Sequence, residues 1–369
     1  MSSIRSLEVG DIEAVAGLFQ RVLRRSGAPA SDDLKAYLTR LFLDPAALAT
    51  GLRSRVHVRD DGTVSGLLGV LPVDMMFEGR RLLAANCVAF INGDRGSDPF
   101  VGARLLREVL SGPQHLSFSD TANDISTPIW RTAKAAVLGS CSLEWLRILK
   151  PAAFALDVAG RRIPAARLAR PLSGMADAVI CRKGRKQAWL YYAPLAGKAD
   201  AFIDEPASDD AFIEGCRQLV LRFPLRPLWD RPVLETILLH AARKTLYGMR
   251  VQRIVRTRSG KVIGLYLYYG DTGGSGRVVQ IMAEPGQESI VIDCLIRNAY
   301  ERGLVAVRGR TDPILLQALI GKKCAFKEAS STVVHSREPA LVEAMTAGKA
   351  LLNGLAGEEW TRLMGDRFE

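Results

Sequence analysis

The chain has 369 residues, of which 48% are hydrophobic and 24% charged, and its net charge is +11. Such a length suits two domains, and this balance excludes a disordered chain, a collagen-like repeat and a disulfide scaffold. No apolar run approaches the ~20 residues that span a bilayer. Residues 1–6 hold no apolar core of a secretory signal, so a cytoplasmic location is expected.

Residues 4–9 read as a short strand. A helix follows, with Ile12, Val15, Leu18, Phe19 and Val22 on one face, and a second spans 32–43. Residues 55–58 and 63–76 predict strands joined by an Asp60-Asp61-Gly62 turn, and 81–91 a third strand. The loop from Asn92 to Pro99 is polar, and Pro99 suits the first turn of a helix to about Leu110. A strand at 115–119, a helix at 125–136 and a strand at 142–149 close the unit.

The segment 150–198 carries ten Lys or Arg residues against Asp157 and Asp177, and its prolines forbid one unbroken helix. It reads either as a solvated connector or as a surface for an anion, a phosphate or an acidic lipid face. No nucleic-acid motif accompanies it, so no nucleic-acid partner is expected. After it the order repeats. A strand at 202–206 precedes helices at 209–222 and 231–246, a β region at 250–282 and a helix at 289–302. A strand at 304–307, a helix at 313–320, a strand at 332–335 and an amphipathic helical tail over 338–366 complete it. Six scattered cysteines, at 87, 141, 181, 216, 294 and 324, read as small core residues. The four histidines lack metal-ligand spacing, so no metal is expected.

The repeat is visible in residues. Asp61-Gly62-Thr63-Val64-Ser65-Gly66-Leu67 matches Ser259-Gly260-Lys261-Val262-Ile263-Gly264-Leu265 at Gly, Val, Gly and Leu. The first glycine turns a hairpin, the valine enters the core, and the second glycine admits a close neighbour. This element order around an x-Gly-x-Val-x-Gly hairpin resembles the GNAT superfamily of acyl-CoA-dependent acyltransferases, and it does so twice. The resemblance implies an α+β (mixed α/β) fold of two tandem GNAT-like domains, each a mixed, mostly antiparallel sheet flanked by helices. The N-terminal domain is placed at 1–150, a basic Pro-containing connector at 151–199 and the C-terminal domain at 200–369.

The superfamily grips the pyrophosphate of CoA with an Arg/Gln-x-x-Gly-x-Gly/Ala loop at a helix N-terminus, where backbone N–H groups face the anion. Here Gly102 takes the final position of that pattern, Phe100 and Ser97 replace earlier members, and Arg95 supplies a cation from a longer loop. By resemblance, Arg95, Gly96, Ser97, Phe100, Val101, Gly102 and Ala103 hold the pyrophosphate. Phe90 and Ile91 flank the thioester, and Asn123 stands near the CoA arm. The other reading of 95–103 is a polar loop with a helix cap. Asp120, at a strand end, is the candidate general base, or else a cap. Trp130 stands where relatives place a tyrosine acid.

In the second half Ile292 replaces the final glycine, and Glu284 and Glu288 bring negative charge, which disfavours phosphate. Tyr266 and Tyr268 share one face of a strand. They read as packing or as the wall of an acceptor pocket to which Trp189, Tyr191 and Tyr192 add. The expected function is acyl-CoA-dependent N-acyl transfer, of acetyl or a longer acyl group, to an amine of a small molecule or amino sugar, with acyl-CoA as co-substrate bound by the first half. The rival is a catalytically degenerate tandem protein that binds or scaffolds, in surface-polysaccharide biosynthesis.

Overall fold

The structure, a computed structural model, describes residues 2–94, 96, 98–163, 170–183 and 201–368. The strands are β1 (Ser3–Ser6), β2 (Arg55–Val58), β3 (Val64–Phe77), β4 (Arg80–Asn92), β5 (Leu116–Ala122), β6 (Ala136–Val137), β7 (Leu143–Ile148), β8 (Phe202–Pro206), β9 (Leu225–Pro227), β10 (Arg250–Thr257), β11 (Val262–Tyr269), β12 (Ser275–Ala283), β13 (Ala306–Arg310), β14 (Ala325–Glu328) and β15 (Ser331–Ser336). They form two mixed, mostly antiparallel sheets flanked by helices, as the sequence predicts. No helix among the described residues is long and apolar enough to cross a membrane.

The first sheet runs β1-β2-β3-β4-β5-β15-β6, with β9 also on β3; the second runs β14-β7-β13-β12-β11-β10-β8. The two halves therefore trade a strand. β7, expected to close the first unit, lies between β13 and β14 of the second. β15 from the second half lies between β5 and β6 of the first. The reason is local. One helical turn, Gly139–Ser142, leads from β6 in the first sheet to β7 in the second. β14 and β15 are likewise separated by only two residues. Arg310 ties the crossing together: its guanidinium donates to Ser330 O at 2.6 Å, Thr332 Oγ1 at 3.1 Å and Asp120 O at 2.9 Å.

The repeated hairpin glycines have the same surroundings in both halves. A side chain at Gly66 would meet Val101 Cγ1 at 2.9 Å, and one at Gly264 would meet Val291 Cγ2 at 2.2 Å. Val101 belongs to helix Val101–Leu110, which follows β4, and Val291 to helix Glu288–Glu301, which follows β12. Val64 is buried, while Val262 is half-buried.

The tail differs from its predicted helix. Helix Pro339–Thr346 ends before Gly348, whose φ of 72° is left-handed. Residues 351–366 then follow an irregular, largely buried path between the halves. Cys87, Cys141, Cys216 and Cys294 are buried and Cys324 is half-buried, while the Cys181 side chain lies outside the described residues. Of the ten basic residues between 150 and 198, only the Lys150 side chain is described; its ammonium sits 5.4 Å from the Tyr300 ring. Trp189, Tyr191 and Tyr192 lie outside the described residues.

Candidate functional site

β4 and β5 are parallel and pair only through residues 84–86 and 116–118. Beyond these the strands part. On its other side β4 carries a bulge. Leu67 pairs with Ile91 and Gly69 with Val88, so two residues of β4, Ala89 and Phe90, oppose Leu68 alone. Ala89 has a φ of 47°. The bulge turns Phe90 into the gap between the strands. Two cavities meet there. The inner one, about 320 Å³, is bounded by Cys87, Ala89, Thr121, Trp130, Tyr247 and Glu358 among others. The outer one, about 410 Å³, is lined by Asn92, Pro99, Gly102, Ile125 and Ile129. Phe90, Asn123 and Ser126 border both.

The outer cavity abuts the N-terminus of helix Val101–Leu110. Asp98 accepts from Phe100 N at 3.0 Å and pairs with Arg104 at 2.6 Å, and the Arg104 hydrogen bond holds its carboxyl below the usual range. The next three N–H groups, of Val101, Gly102 and Ala103, precede any intrahelical acceptor, and of these residues only Gly102 lines the outer cavity. A side chain at Gly102 would meet Ile129 Cδ1 at 2.9 Å and Phe90 Cζ at 3.4 Å, so its absence keeps the cavity passable. Asn92 organises the loop, accepting from Asp94 N at 2.8 Å and donating to Asp98 O at 3.3 Å.

The residues expected at this site separate. Phe90, Gly102 and Asn123 line cavities. Asn123 also caps helix Ser126–Thr132, accepting from Ile125 N and Ser126 N at 3.0 Å. Ile91 points the other way, into the first-half core, and Val101 is likewise fully buried. Ala103 faces a separate groove beside Arg107. Gly96 and Phe100 are exposed, and Arg95 and Ser97 lie outside the described residues.

Asp120 is placed behind the inner wall rather than on it. It is 1% exposed and accepts from Glu358 N at 3.1 Å. Tyr266 and Tyr268 line none of these cavities. Both are core side chains of the second half whose hydroxyls donate to Asp204 and Asn298 at 2.7 Å. An acceptor pocket at these tyrosines is thereby corrected to strand packing.

Sequence reasoning missed the inner wall, because the tail builds it. Residues 353–355 first enter the corresponding gap of the second sheet, where β12 and β13 pair through 275–278 and 306–309 and then part. Leu355 N donates to Gln280 Oε1 at 3.0 Å, and Asn353 Nδ2 to Thr311 O at 3.0 Å. Only about 20 Å³ remains open there. The second-half loop is closed as well. Arg222 pairs with Glu288 at 2.8 Å and also binds Ala283 O. The tail then crosses to the first sheet. Gly357 packs so closely on Asp120 that a side chain would stand 1.9 Å from Oδ2.

Glu358 follows on the inner wall, its Oε1 accepting the Thr121 hydroxyl. Behind it Arg277 pairs with Glu359 at 2.6 Å and lies 5.0 Å from the Tyr247 ring. Lys244 donates to Glu359 O.

Burial, then the charge of Glu359, pushes Asp120 up to about 7. Burial, then Asp120, pushes Glu358 up to about 8. Burial lowers Lys244 to about 8. Burial also raises the Cys87 thiol well above its usual range, so this cavity residue is no thiolate nucleophile. The two carboxyls keep protons that an unfolded chain releases near pH ~4, so the folded state binds more protons from there up to about pH 8. Stability contributed by these groups is present at low pH and lost as pH rises through that window. The wild type should lose roughly 1–3 kcal/mol relative to Glu358→Gln between about pH 6 and pH 9, read by urea unfolding. A pH-independent difference would count against the placement of Glu358.

No protein-family model and no curated protein matches the sequence. Solved structures do match. A conserved Enterococcus faecalis protein of unknown function, a probable N-acyltransferase, aligns over 94% of this chain and 74% of its own at 11% identity, with a TM-score of 0.58. A GCN5-related N-acetyltransferase from Anabaena variabilis aligns over 92% and 74% at 12% identity, with a TM-score of 0.59. One from Kribbella flavida aligns over 91% and 71% at 13% identity, with a TM-score of 0.52.

Proposed function

With the GNAT fold as premise, we propose that the protein is an acyl-CoA-dependent acyltransferase whose donor site is the gap between β4 and β5. The observation that carries this reading is the paired opening at the Phe90 bulge, with one cavity on each side of it. A thioester arm needs such a passage. The donor's pyrophosphate fits the N-terminus of helix Val101–Leu110 beside Gly102, where the helix end is partially positive. The arm then lies along Phe90 and Asn123. Main-chain amides at the bulge are suited to polarise the thioester carbonyl, and an amine acceptor attacks from the inner cavity.

The degenerate reading applies to the second half alone. Its gap is filled by the tail and its loop is closed by Arg222 and Glu288. It contributes Leu246 and Tyr247 to the inner wall instead.

Calorimetry with acetyl-CoA tests the site. Wild type should bind in the micromolar range, and Gly102→Trp should weaken binding at least ~100-fold, since the indole fills the cavity beside Phe90 and Ile129. No binding by wild type at millimolar ligand, or equal binding by both proteins, would refute the assignment.

A further inference from the structure

We infer that Glu358 receives the amino group of the acceptor and takes its proton, and that the acceptor is a primary amine on an apolar body. This deepens the acyl-transfer reading and rests on it. Glu358 lines the inner cavity, opposite the side on which the proposed donor enters. Thr121 holds Oε1, and the Asp120 carboxyl holds the main-chain N–H of the same residue, so the side chain is fixed from two sides. Two glycine-dependent contacts bring it there: Gly354 against Val279 O and Gly357 against Asp120.

The remaining wall selects the acceptor's body. Phe19, Leu23, Leu246, Leu363 and Met364 make most of it apolar; Asn123 and Ser126 border the donor passage, Thr121 is engaged with Glu358, and Ser119 and Tyr247 bring the other polar side chains. Arg24, the one cation among the described lining residues, is engaged: its guanidinium donates to Leu363 O at 3.1 Å and lies 5.3 Å from the Phe19 ring. Ser119 and Tyr247 can partner some of a sugar's hydroxyls, and the rest would face apolar side chains at a cost of about 1–3 kcal/mol each. An alkyl or aryl amine leaves none.

The step balances within the site. The acceptor nitrogen adds to the thioester carbonyl, and a C–N bond forms. The nitrogen's proton passes to the Glu358 oxygen not held by Thr121. The C–S bond then breaks with its electron pair leaving on sulfur, and the thiolate gains a proton through water. Glu358 returns its own proton to that water. The groups that set when Glu358 is ionised come from every neighbouring element. They are Asp120 on β5, Glu359 beside it, and Lys244 and Tyr247 from the second half. Cys87 lies on β4, Arg310 sits at the Asp120 carbonyl, and Arg277 is paired with Glu359.

The test measures CoA release from acetyl-CoA with phenethylamine, 4-ethylaniline or glucosamine, after acetyl-CoA binding has been confirmed by calorimetry. Phenethylamine and 4-ethylaniline should both be acylated with saturation, and glucosamine at least ~100-fold less efficiently. Glu358→Gln should lower kcat by about 100-fold or more, as loss of a general base does, with acetyl-CoA affinity within about twofold. With 4-ethylaniline, which stays neutral across the range, wild-type kcat/KM should rise with pH towards a plateau above about 8. Glu358→Gln should lack that rise, and Glu358→Asp should restore part of it.

Glucosamine preferred over phenethylamine and 4-ethylaniline, no turnover with any of them despite acetyl-CoA binding, or Glu358→Gln within threefold of wild type would overturn the inference. Failure of wild type to bind acetyl-CoA would instead overturn the acyl-transfer reading beneath it. Should the glutamine variant not fold, the wild-type pH profile and Glu358→Asp still decide.

Discussion

Produced separately, residues 1–150 and 201–369 will show no cooperative unfolding transition, whereas the intact chain will unfold in one. Each fragment lacks an interior strand of its own sheet. The first loses β15, with buried Val333 and Val334, and so leaves β6 unattached. The second loses β7 from between β13 and β14. Trp145 and Leu149, both wholly buried in the second-half core, leave with it. Removal of a core tryptophan alone costs about 3–5 kcal/mol, against a total of about 5–15 kcal/mol for a domain. Unsatisfied ladder groups on two strands add to that loss. Far-ultraviolet circular dichroism in urea would check this. A sigmoidal transition in either fragment alone would show that the traded strand is dispensable.

The second large effect is expected from ending the chain after Ala350. Leu351, Leu352, Leu355, Leu363 and Phe368 are each less than a tenth exposed. At about 1.5–3 kcal/mol per large side chain, their loss approaches the whole stability of the protein. It would also empty the gap between β12 and β13 and leave Arg277 buried without Glu359. The truncated protein should be insoluble, or melt at least ~15 °C lower. A milder variant isolates the site. Gly357→Ala displaces the tail from Asp120 while leaving the outer cavity alone. Turnover should fall at least ~10-fold, the loss expected of a displaced general base, with acetyl-CoA binding retained. Unchanged melting of the truncated protein, or full turnover by Gly357→Ala, would sink this account.

The features legible in the sequence are those set by neighbours in the chain. The Gly62–Gly66 and Gly260–Gly264 hairpins announce themselves because turn and close approach are both decided within a few residues. Gly102 and Asn123 are singled out by the family resemblance, which works on a loop and strand end that are local objects. What is decided across the molecule leaves no such trace. Leu143–Ile148 has the pattern of a strand, but alternation does not say which sheet it joins. Phe90 and Ile91 look equivalent until the bulge at Ala89 sends them to opposite sides. Tyr266 and Tyr268 look like a ligand wall, and only the positions of Asp204 and Asn298 show their hydroxyls already engaged. Glu358 meets Thr121 across 237 positions, from a segment whose amphipathic pattern suggests more helix. The glycines at 348, 354, 357 and 365 were the available warning.

The traded strands also impose a schedule on synthesis. While the chain leaves the ribosome, β5 waits for a neighbour that arrives only with residue 336. At about 5–20 residues per second the delay is roughly ten to forty seconds, during which an unpaired edge is open to other nascent chains. The N-terminal half therefore cannot finish folding as it emerges, and a chaperone that shields the edge until release should raise the yield of native protein.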